Sequence, residues 1–196
     1  EASVSSAWEK NLGGKDNTAG LTITIRQNEQ GVGNTYACDV HDAAIPEEIY
    51  DAIKAGFENS FASGINYGYP CADVGVTVTA IAYNELTGTP FAFTACAAQV
   101  FDEAAQKATP IILEPVMNVD ISCPLEFVGD AISQITQRGG MIQGQDSKAS
   151  GEIVHCTAPM AKMFGFSTNL RSVTQGRASF SMEFAHFQLK AGGLGA

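Results

Sequence analysis

Positive charge is scarce in this sequence. Eleven Lys and Arg residues stand against 21 Asp and Glu residues, so the formal net charge at pH 7 is −10. Almost all of the excess lies before Pro110, where five basic residues oppose fourteen acidic ones, whereas the remainder holds six against seven. Binding to nucleic acid through a broad, salt-sensitive surface needs many cations near phosphates. The composition therefore argues against a DNA-binding protein, and any contact with RNA has to come from small local patches and from shape.

Membrane-spanning and export signals are also missing. No run of eighteen apolar residues occurs, and no charged segment followed by an apolar one opens the sequence. A transmembrane helix and a secretory signal are therefore not predicted. The five cysteines form no CxxC pair and are widely spaced, at Cys38, Cys71, Cys96, Cys123 and Cys156. An odd number of scattered cysteines favours reduced, buried thiols in a cytoplasmic protein over disulfides or a metal centre.

Recognisable catalytic motifs are absent as well. The Gly13–Lys15 segment lacks the preceding strand and the glycine spacing of a phosphate-binding loop, so we interpret residues 1–20 as an exposed, flexible loop. His155 and Cys156 are neighbours in a predicted strand, where their side chains point to opposite faces and cannot form a dyad. Because HExxH spacing is absent too, the sequence predicts no catalytic residue, bound cofactor or metal site. Whether the chain is an enzyme stays open.

The first half of the sequence mixes strand and helix patterns. Period-two alternation predicts strands at Leu21–Arg26, Thr35–Val40 and Val74–Ala80. One helix is predicted to open at Pro46, to bury a stripe of apolar residues at i, i+4 spacing, and to end at Gly64. A second, longer helix is predicted with Thr89 as its N-cap and Pro90 as its first residue.

The second half predicts the order strand, helix, strand, strand, helix, strand. The first strand alternates around Met117–Ile121, and a helix with Leu125, Val128, Ile132 and Ile135 facing inward follows it. The remaining elements are predicted at Met141–Asp146, Glu152–Ala158, Thr168–Thr174 and Ala178–Phe184, the last as a half-buried strand. This βαββαβ order is typical of a ferredoxin-like sandwich. Two prolines, Pro110 and Pro115, indicate a domain boundary near Glu114.

The exact amino-acid sequence of the last segments is more specific than their pattern of helices and strands. MFGFSTNLRS, which begins at Met163, and TQGRASFSMEF, which ends at Phe184, together resemble the last domain of elongation factor G, the ribosomal translocase. The resemblance covers roughly residues 45–187 and is weaker before them. It implies an α+β chain of two domains. Residues 1–113 would form a β/α domain like domain 2 of ribosomal protein S5, residues 114–190 the ferredoxin-like domain, and residues 191–196 a flexible tail.

The resemblance also implies a function. The chain would be the C-terminal fragment of a GTPase that binds the ribosome and promotes GTP-dependent translocation of tRNA and mRNA, and GTP and Mg²⁺ would bind an upstream domain outside this sequence. Its partners would be ribosomal RNA and the tRNA–mRNA pair at the A site. Asn84 stands where the family usually has His, and Gly88 where it has Ser, which favours a divergent paralogue. A specialised paralogue acting in ribosome recycling, or a stand-alone α/β enzyme, are the alternatives.

Candidate RNA contacts fall in both halves. In the first, the resemblance assigns them to two tip loops: Gly13, Gly14 and Lys15 in one, and Asn84, Glu85 and Thr87 in the other. In the second, four cations near turns are candidates for charge-assisted phosphate contacts: Arg138, Lys148, Arg171 and Arg177. For Arg171 the alternative is an ion pair with a carboxylate that supports the fold.

Overall fold

The structure is a computed structural model that describes residues 1–65, 68–148 and 151–190. The chain divides between Pro110 and Ile111 into two compact units, a few residues before the boundary drawn from the sequence at Glu114. Each unit is a mixed α/β structure, and together they have the α+β class predicted from the sequence. The flexible tail predicted for residues 191–196 lies outside the described residues. No helix of the described residues is long and apolar enough to cross a membrane.

The first unit contains one four-stranded sheet and two helices. Its elements are β1 (Ala2–Leu12), β2 (Lys15–Gln27), β3 (Thr35–Cys38), α1 (Glu47–Ser63), β4 (Val74–Ala82) and α2 (Pro90–Lys107). The strand order is β1-β2-β4-β3, with β3 parallel to β4 and the other neighbours antiparallel. The sequence patterns identified β3, β4 and both helices within a few residues.

Residues 1–20 are not the flexible loop that the sequence suggested. They form β1 and the start of β2, which pair along their whole length from Ala2 opposite Ile25 to Leu12 opposite Lys15. The alternation of apolar and polar residues that marks a half-buried strand is weak in the sequence of β1, because β1 is an edge strand in which only Val4 is buried. The hairpin is instead stabilised by its ladder of backbone hydrogen bonds with β2.

Both helices pack against the buried face of this sheet. The apolar stripe predicted for α1 is confirmed, because Ile49, Ile53, Phe57 and Phe61 are all buried. Gly56 allows α1 to approach α2 closely: a Cβ atom on it would lie 2.7 Å from the Cβ of Ala97.

The second unit has the βαββαβ order predicted from the sequence. Its elements are β5 (Leu113–Cys123), α3 (Val128–Thr136), β6 (Met141–Lys148), β7 (Gly151–Pro159), α4 (Phe166–Val173) and β8 (Ser179–Leu189), with short 3-10 turns at Leu125–Phe127 and Met160–Lys162. The sheet order is β6-β7-β5-β8, and all neighbours are antiparallel. This is the ferredoxin-like arrangement. The connection at residues 149–150 lies outside the described residues.

Two burial predictions for this unit are wrong. Leu125 does not face inward but is 71% exposed, because it sits in the 3-10 turn that precedes α3. The strand β8 is buried only at its start: Phe180 packs on the core, whereas Met182 and Phe184 are exposed. An α4 of eight residues is about 12 Å long, while an eleven-residue β8 extends for about 36 Å, so the helix cannot cover the whole strand.

Candidate nucleic-acid interface

The turn that carries Gly13, Gly14 and Lys15 is a closed hairpin tip. Gly13 and Gly14 have φ angles of 60° and 83°, and both positive values suit the two-residue turns that match strand twist. The Gly14 amide donates a hydrogen bond to Asn11 Oδ1 at 3.1 Å, and Asn11 Nδ2 donates to Asp16 Oδ1 at 2.7 Å. The glycines are therefore required by the turn itself, and Lys15 projects from a well-defined backbone.

The second predicted loop, Asn84–Gly88, is organised by Asn84. The Leu86 amide donates to Asn84 Oδ1 at 2.9 Å, and the Gly88 amide donates to the Asn84 backbone carbonyl at 2.6 Å. An Asn side chain that accepts from the amide two residues on is a recurrent turn device. Its oxygen is thus used inside the loop, and among the described residues only its Nδ2 group is left for an outside acceptor. Leu86, at 92% exposure, projects from the apex.

The structure brings these two loops together. The Thr18 amide donates to the Thr87 carbonyl at 2.9 Å, and the hydroxyls of the same two residues lie 2.6 Å apart. Thr89, the predicted N-cap of α2, accepts from the Ala92 amide and also donates its hydroxyl to Asn17 Oδ1 at 2.8 Å. The two predicted loops therefore lie at one end of the first unit. No sequence pattern indicated Asn17 and Thr18, because their partners lie about 70 residues further along the chain.

This end of the unit is not basic. Lys15 is exposed, but so are Asp16 and Glu85. With charges of both signs present, the loops offer hydrogen-bonding groups and shape rather than a strong positive potential.

In the second unit, Arg138 is used inside the fold. Its Nη1 donates to the carbonyl oxygens of Lys162 at 2.8 Å and Phe164 at 2.9 Å, and its Cζ lies 5.6 Å from the centre of the Phe166 ring. The side chain predicted to contact phosphate thus fastens the loop between β7 and α4.

Arg177 is also engaged within its unit. Its guanidinium forms an ion pair with Glu126 and lies 4.8 Å from the centre of the Phe127 ring. The pair is half exposed, and such pairs contribute modestly to stability.

Lys148 and Arg171 are the two predicted cations that stay available. Both are exposed, and neither side chain forms a hydrogen bond or an ion pair with the part of the chain that the structure describes. Lys148 ends β6 opposite Gly151, and Arg177 precedes the start of β8, which pairs with the end of β5. The sheet register therefore places Lys148 and Arg177 at the same end of the strands, although on opposite edge strands, and Arg138, before the start of β6, at the other end.

Sequence reasoning missed a buried carboxylate on β7, which lies opposite Ser147 of β6. Glu152 is 8% exposed and accepts hydrogen bonds from Ser147 Oγ at 2.8 Å and Gln145 Nε2 at 3.0 Å. Both donors lie on β6, Ser147 next to Lys148 and Gln145 three residues before it. This network fixes the end of the β6–β7 hairpin.

The histidine and cysteine of β7 point to opposite faces, as their adjacent positions in the sequence predicted. His155 lies on the open face, where Nδ1 is 2.7 Å from Asp120 Oδ1 and Nε2 is 3.2 Å from Asp146 Oδ2. Hydrogen bonds to these two carboxylates raise the pKa of His155 above its usual 6.5. Burial raises the pKa of the Cys156 thiol to about 11, so this thiol is not an activated nucleophile.

Comparison with known proteins gives the family. The model of elongation factor G domain IV matches residues 2–109, and that of the elongation factor G C-terminus matches residues 111–194. The chain is 55% identical to elongation factor G 1 of Treponema denticola over 97% of its length, and 46% identical to elongation factor G 2 of Treponema pallidum over 90%. It spans only 29% and 27% of these two proteins. A crystal structure from Thermus thermophilus matches 97% of the chain, and the chain covers 28% of it, with a TM-score of 0.89 at 23% identity. This last likeness shows the fold.

The two units, with their paired tip loops and ferredoxin-like sheet, therefore have the architecture of a two-domain part of a translation factor. The chain belongs to the elongation factor G family, of which it represents domain IV and the C-terminal region.

Proposed function

We propose that this chain is the ribosome-contacting part of a longer, cytoplasmic translational GTPase, and that it promotes the movement of tRNA and mRNA during elongation. GTP and Mg²⁺ would bind the parent protein outside this chain. The partners would be ribosomal RNA and the tRNA–mRNA pair at the A site, and not DNA.

The convergence of the two tip loops is the observation that carries this proposal. Thr18, which follows the Gly13–Lys15 turn on β2, is hydrogen-bonded to Thr87 of the Asn84–Gly88 loop at 2.6 and 2.9 Å, and Asn17 accepts from Thr89 just after that loop at 2.8 Å. A fixed pair of loops can act on a bound nucleic acid as a solid body, because little conformational freedom is lost when it makes contact. Among the described residues of this end, the Thr18, Thr87 and Thr89 hydroxyls bond to one another or to Asn17, and none is paired with a carboxylate or imidazole that could activate it. The proposed action is therefore steric.

The low basic charge fits this mode of action. Binding would depend on local contacts in both units rather than on a broad potential, so the parent protein would need its nucleotide-bound state for high affinity. Lys148 and Arg171, whose side chains have no partners among the described residues, are the proposed phosphate contacts of the second unit.

A specialised role in ribosome recycling is the second candidate. The observation that favours it is the composition of the tip, where Asn84 and Gly88 replace the His and Ser expected in the family and Asn84 uses its oxygen within the loop. The stand-alone enzyme considered from the sequence gains no support, since His155 is held by two carboxylates and the Cys156 thiol is buried.

Co-sedimentation tests the proposal. The full-length protein is mixed with ribosomes and a non-hydrolysable GTP analogue, with GDP as the matched control. We expect binding that depends on the analogue. Binding that is equal with GDP, or no binding, would contradict the proposed function.

A further inference from the structure

Phe164 is an aromatic side chain that the fold directs into solvent. Its ring is 90% exposed, whereas Met163 beside it is 7% exposed and Phe166 is fully buried. A single exposed apolar residue is common on protein surfaces. Phe164 differs from that ordinary case because the backbone on both sides of it is held in place.

Several interactions fix this backbone. Arg138 bonds to the carbonyls of Lys162 and Phe164, and the Phe166 amide donates to the Met163 carbonyl at 3.1 Å. Gly165 adopts φ 70°, a left-handed conformation that glycine adopts without strain. The Phe164 ring is therefore presented from a rigid loop, and a partner that binds it would not have to order the backbone.

The surrounding sequence favours a phosphate-bearing partner. Residues 131–145 and 153–182 contain no Asp or Glu, although the whole chain has 21. Lys162 is exposed and lies in the loop itself, two residues before Phe164. An exposed aromatic ring with a cation close to it in the chain is a combination that binds unpaired nucleotides, because the ring stacks on a base and the cation, here Lys162, attracts phosphate.

We propose that Phe164 is a stacking platform for an unpaired base of ribosomal RNA, and that Arg138 is the positioning residue that holds it. This inference rests on the proposed function and deepens it by assigning the type of contact made by the loop between β7 and α4. It reassigns Arg138 from a direct phosphate contact to a residue that acts through Phe164. A protein partner is the less favoured occupant because protein interfaces are typically depleted of Lys at their core and need a much larger buried area.

Substitutions of Phe164 test the stacking, because they separate the effect of the aromatic ring from the effect of side-chain size. In the full-length protein with ribosomes and a non-hydrolysable GTP analogue, we expect Phe164→Leu to weaken ribosome affinity roughly tenfold, in line with the loss of one stacked base. Phe164→Trp keeps a larger π face and is expected to stay within about threefold of the wild type. Leu125→Ala, which removes another exposed apolar side chain of the same unit, is the matched control and should leave affinity unchanged. Equal affinity of Phe164→Leu and wild type would overturn the inference.

Ultraviolet crosslinking of the same complexes identifies what the ring contacts. We expect a crosslink between the peptide containing Phe164 and ribosomal RNA, and we expect its loss in Phe164→Leu. A crosslink to a ribosomal protein instead would overturn the inference while leaving the proposed function intact. If the wild-type protein itself does not bind ribosomes, the proposed function fails and this inference fails with it. If the wild type binds but Phe164→Leu binds equally well, only this inference fails.

Discussion

Thr18 and Thr87 are hydrogen-bonded to each other twice, once through the backbone at 2.9 Å and once through hydroxyls 2.6 Å apart. One residue belongs to β2 and the other to the loop before α2. The contact makes one structure of two loops that the sequence presents separately. The proposed function depends on this pairing, since it is what places all six predicted tip residues at the same end of the first unit.

The hydroxyl pair can be tested with a double-mutant cycle. We expect Thr18→Val and Thr87→Val each to destabilise the first unit by about 1 kcal/mol, because each leaves a partly buried hydroxyl without its partner. The double variant should lose less than the sum, since no hydroxyl is then left unpaired. Chemical unfolding measures the stabilities, and strict additivity would show that the hydroxyls are not coupled.

Salt dependence separates a phosphate contact from a positioning role. We expect Lys148→Gln to reduce the slope of log affinity for ribosomes against log salt by about 1, as the loss of one phosphate contact does. Arg138→Gln should weaken binding with the slope unchanged, because the Arg138 guanidinium bonds to backbone carbonyls at 2.8 and 2.9 Å. Its effect should also be largely absent in a Phe164→Leu background. An equal decrease of the salt slope in both variants would show that Arg138 contacts phosphate directly.

Glycine substitutions test the packing of the helices. We expect Gly56→Ala to destabilise the first unit by about 1–3 kcal/mol, because the new Cβ would lie 2.7 Å from the Cβ of Ala97 and 3.0 Å from the Thr94 carbonyl oxygen. Gly129 is the matched control: it lies in α3 with nothing within 4 Å of an added methyl group, and Gly129→Ala should stabilise by about 0.5–1 kcal/mol through helix propensity. Thermal unfolding measures both, and a stabilising Gly56→Ala would contradict the close helix contact.

The cluster of Asp120, His155 and Asp146 predicts a pH-dependent stability of the second unit. Because the two carboxylates raise the pKa of His155 in the folded state, its contribution is fully present below the unfolded value of about 6.5 and is lost as the pH rises through the folded value. We expect the stability difference between wild type and His155→Gln to shrink as the pH rises above about 6.5.

His186→Gln, which removes a second histidine of the same unit, from β8, is the control for this titration. Denaturant midpoints measured across the range give the comparison. A His155→Gln difference that grows with pH would mean that the imidazolium is not held by these carboxylates.

Much of the fold could be predicted from the sequence because the signals are local. The apolar stripe from Ile49 to Phe61 indicates α1, and the N-cap at Thr89 indicates α2. Each signal is contained in a short stretch of the sequence. The edge strand β1 has no such signal: most of its side chains are exposed, and it is defined by pairing with β2 and by contacts with α2, such as the bond that Gln99 Nε2 donates to Ser6 Oγ at 2.7 Å. Burial along β8 also escaped prediction, since alternation does not reveal where the covering helix ends.

The candidate site was accessible from the sequence only in part. Resemblance to the family indicated the two tip loops and proximity to turns indicated the four cations as candidates, but neither shows what each side chain bonds to. Arg138 and Phe164 are 26 residues apart, and Thr18 and Thr87 are 69 apart, so neither pairing leaves a pattern in the sequence. The chemical role of a side chain depends on such distant partners, which is why Arg138 looked like a free cation.

A single-turnover translocation assay tests the central claim most directly. The full-length protein and GTP are added to ribosomes that hold tRNA in the A site, and movement of the mRNA is followed, with Thr18→Val/Thr87→Val as the variant that loosens the tip. We expect the wild type to move tRNA and mRNA in one rapid phase and the variant to do so more slowly. Ribosome binding by the wild type without any movement would contradict the proposed function and favour the recycling role.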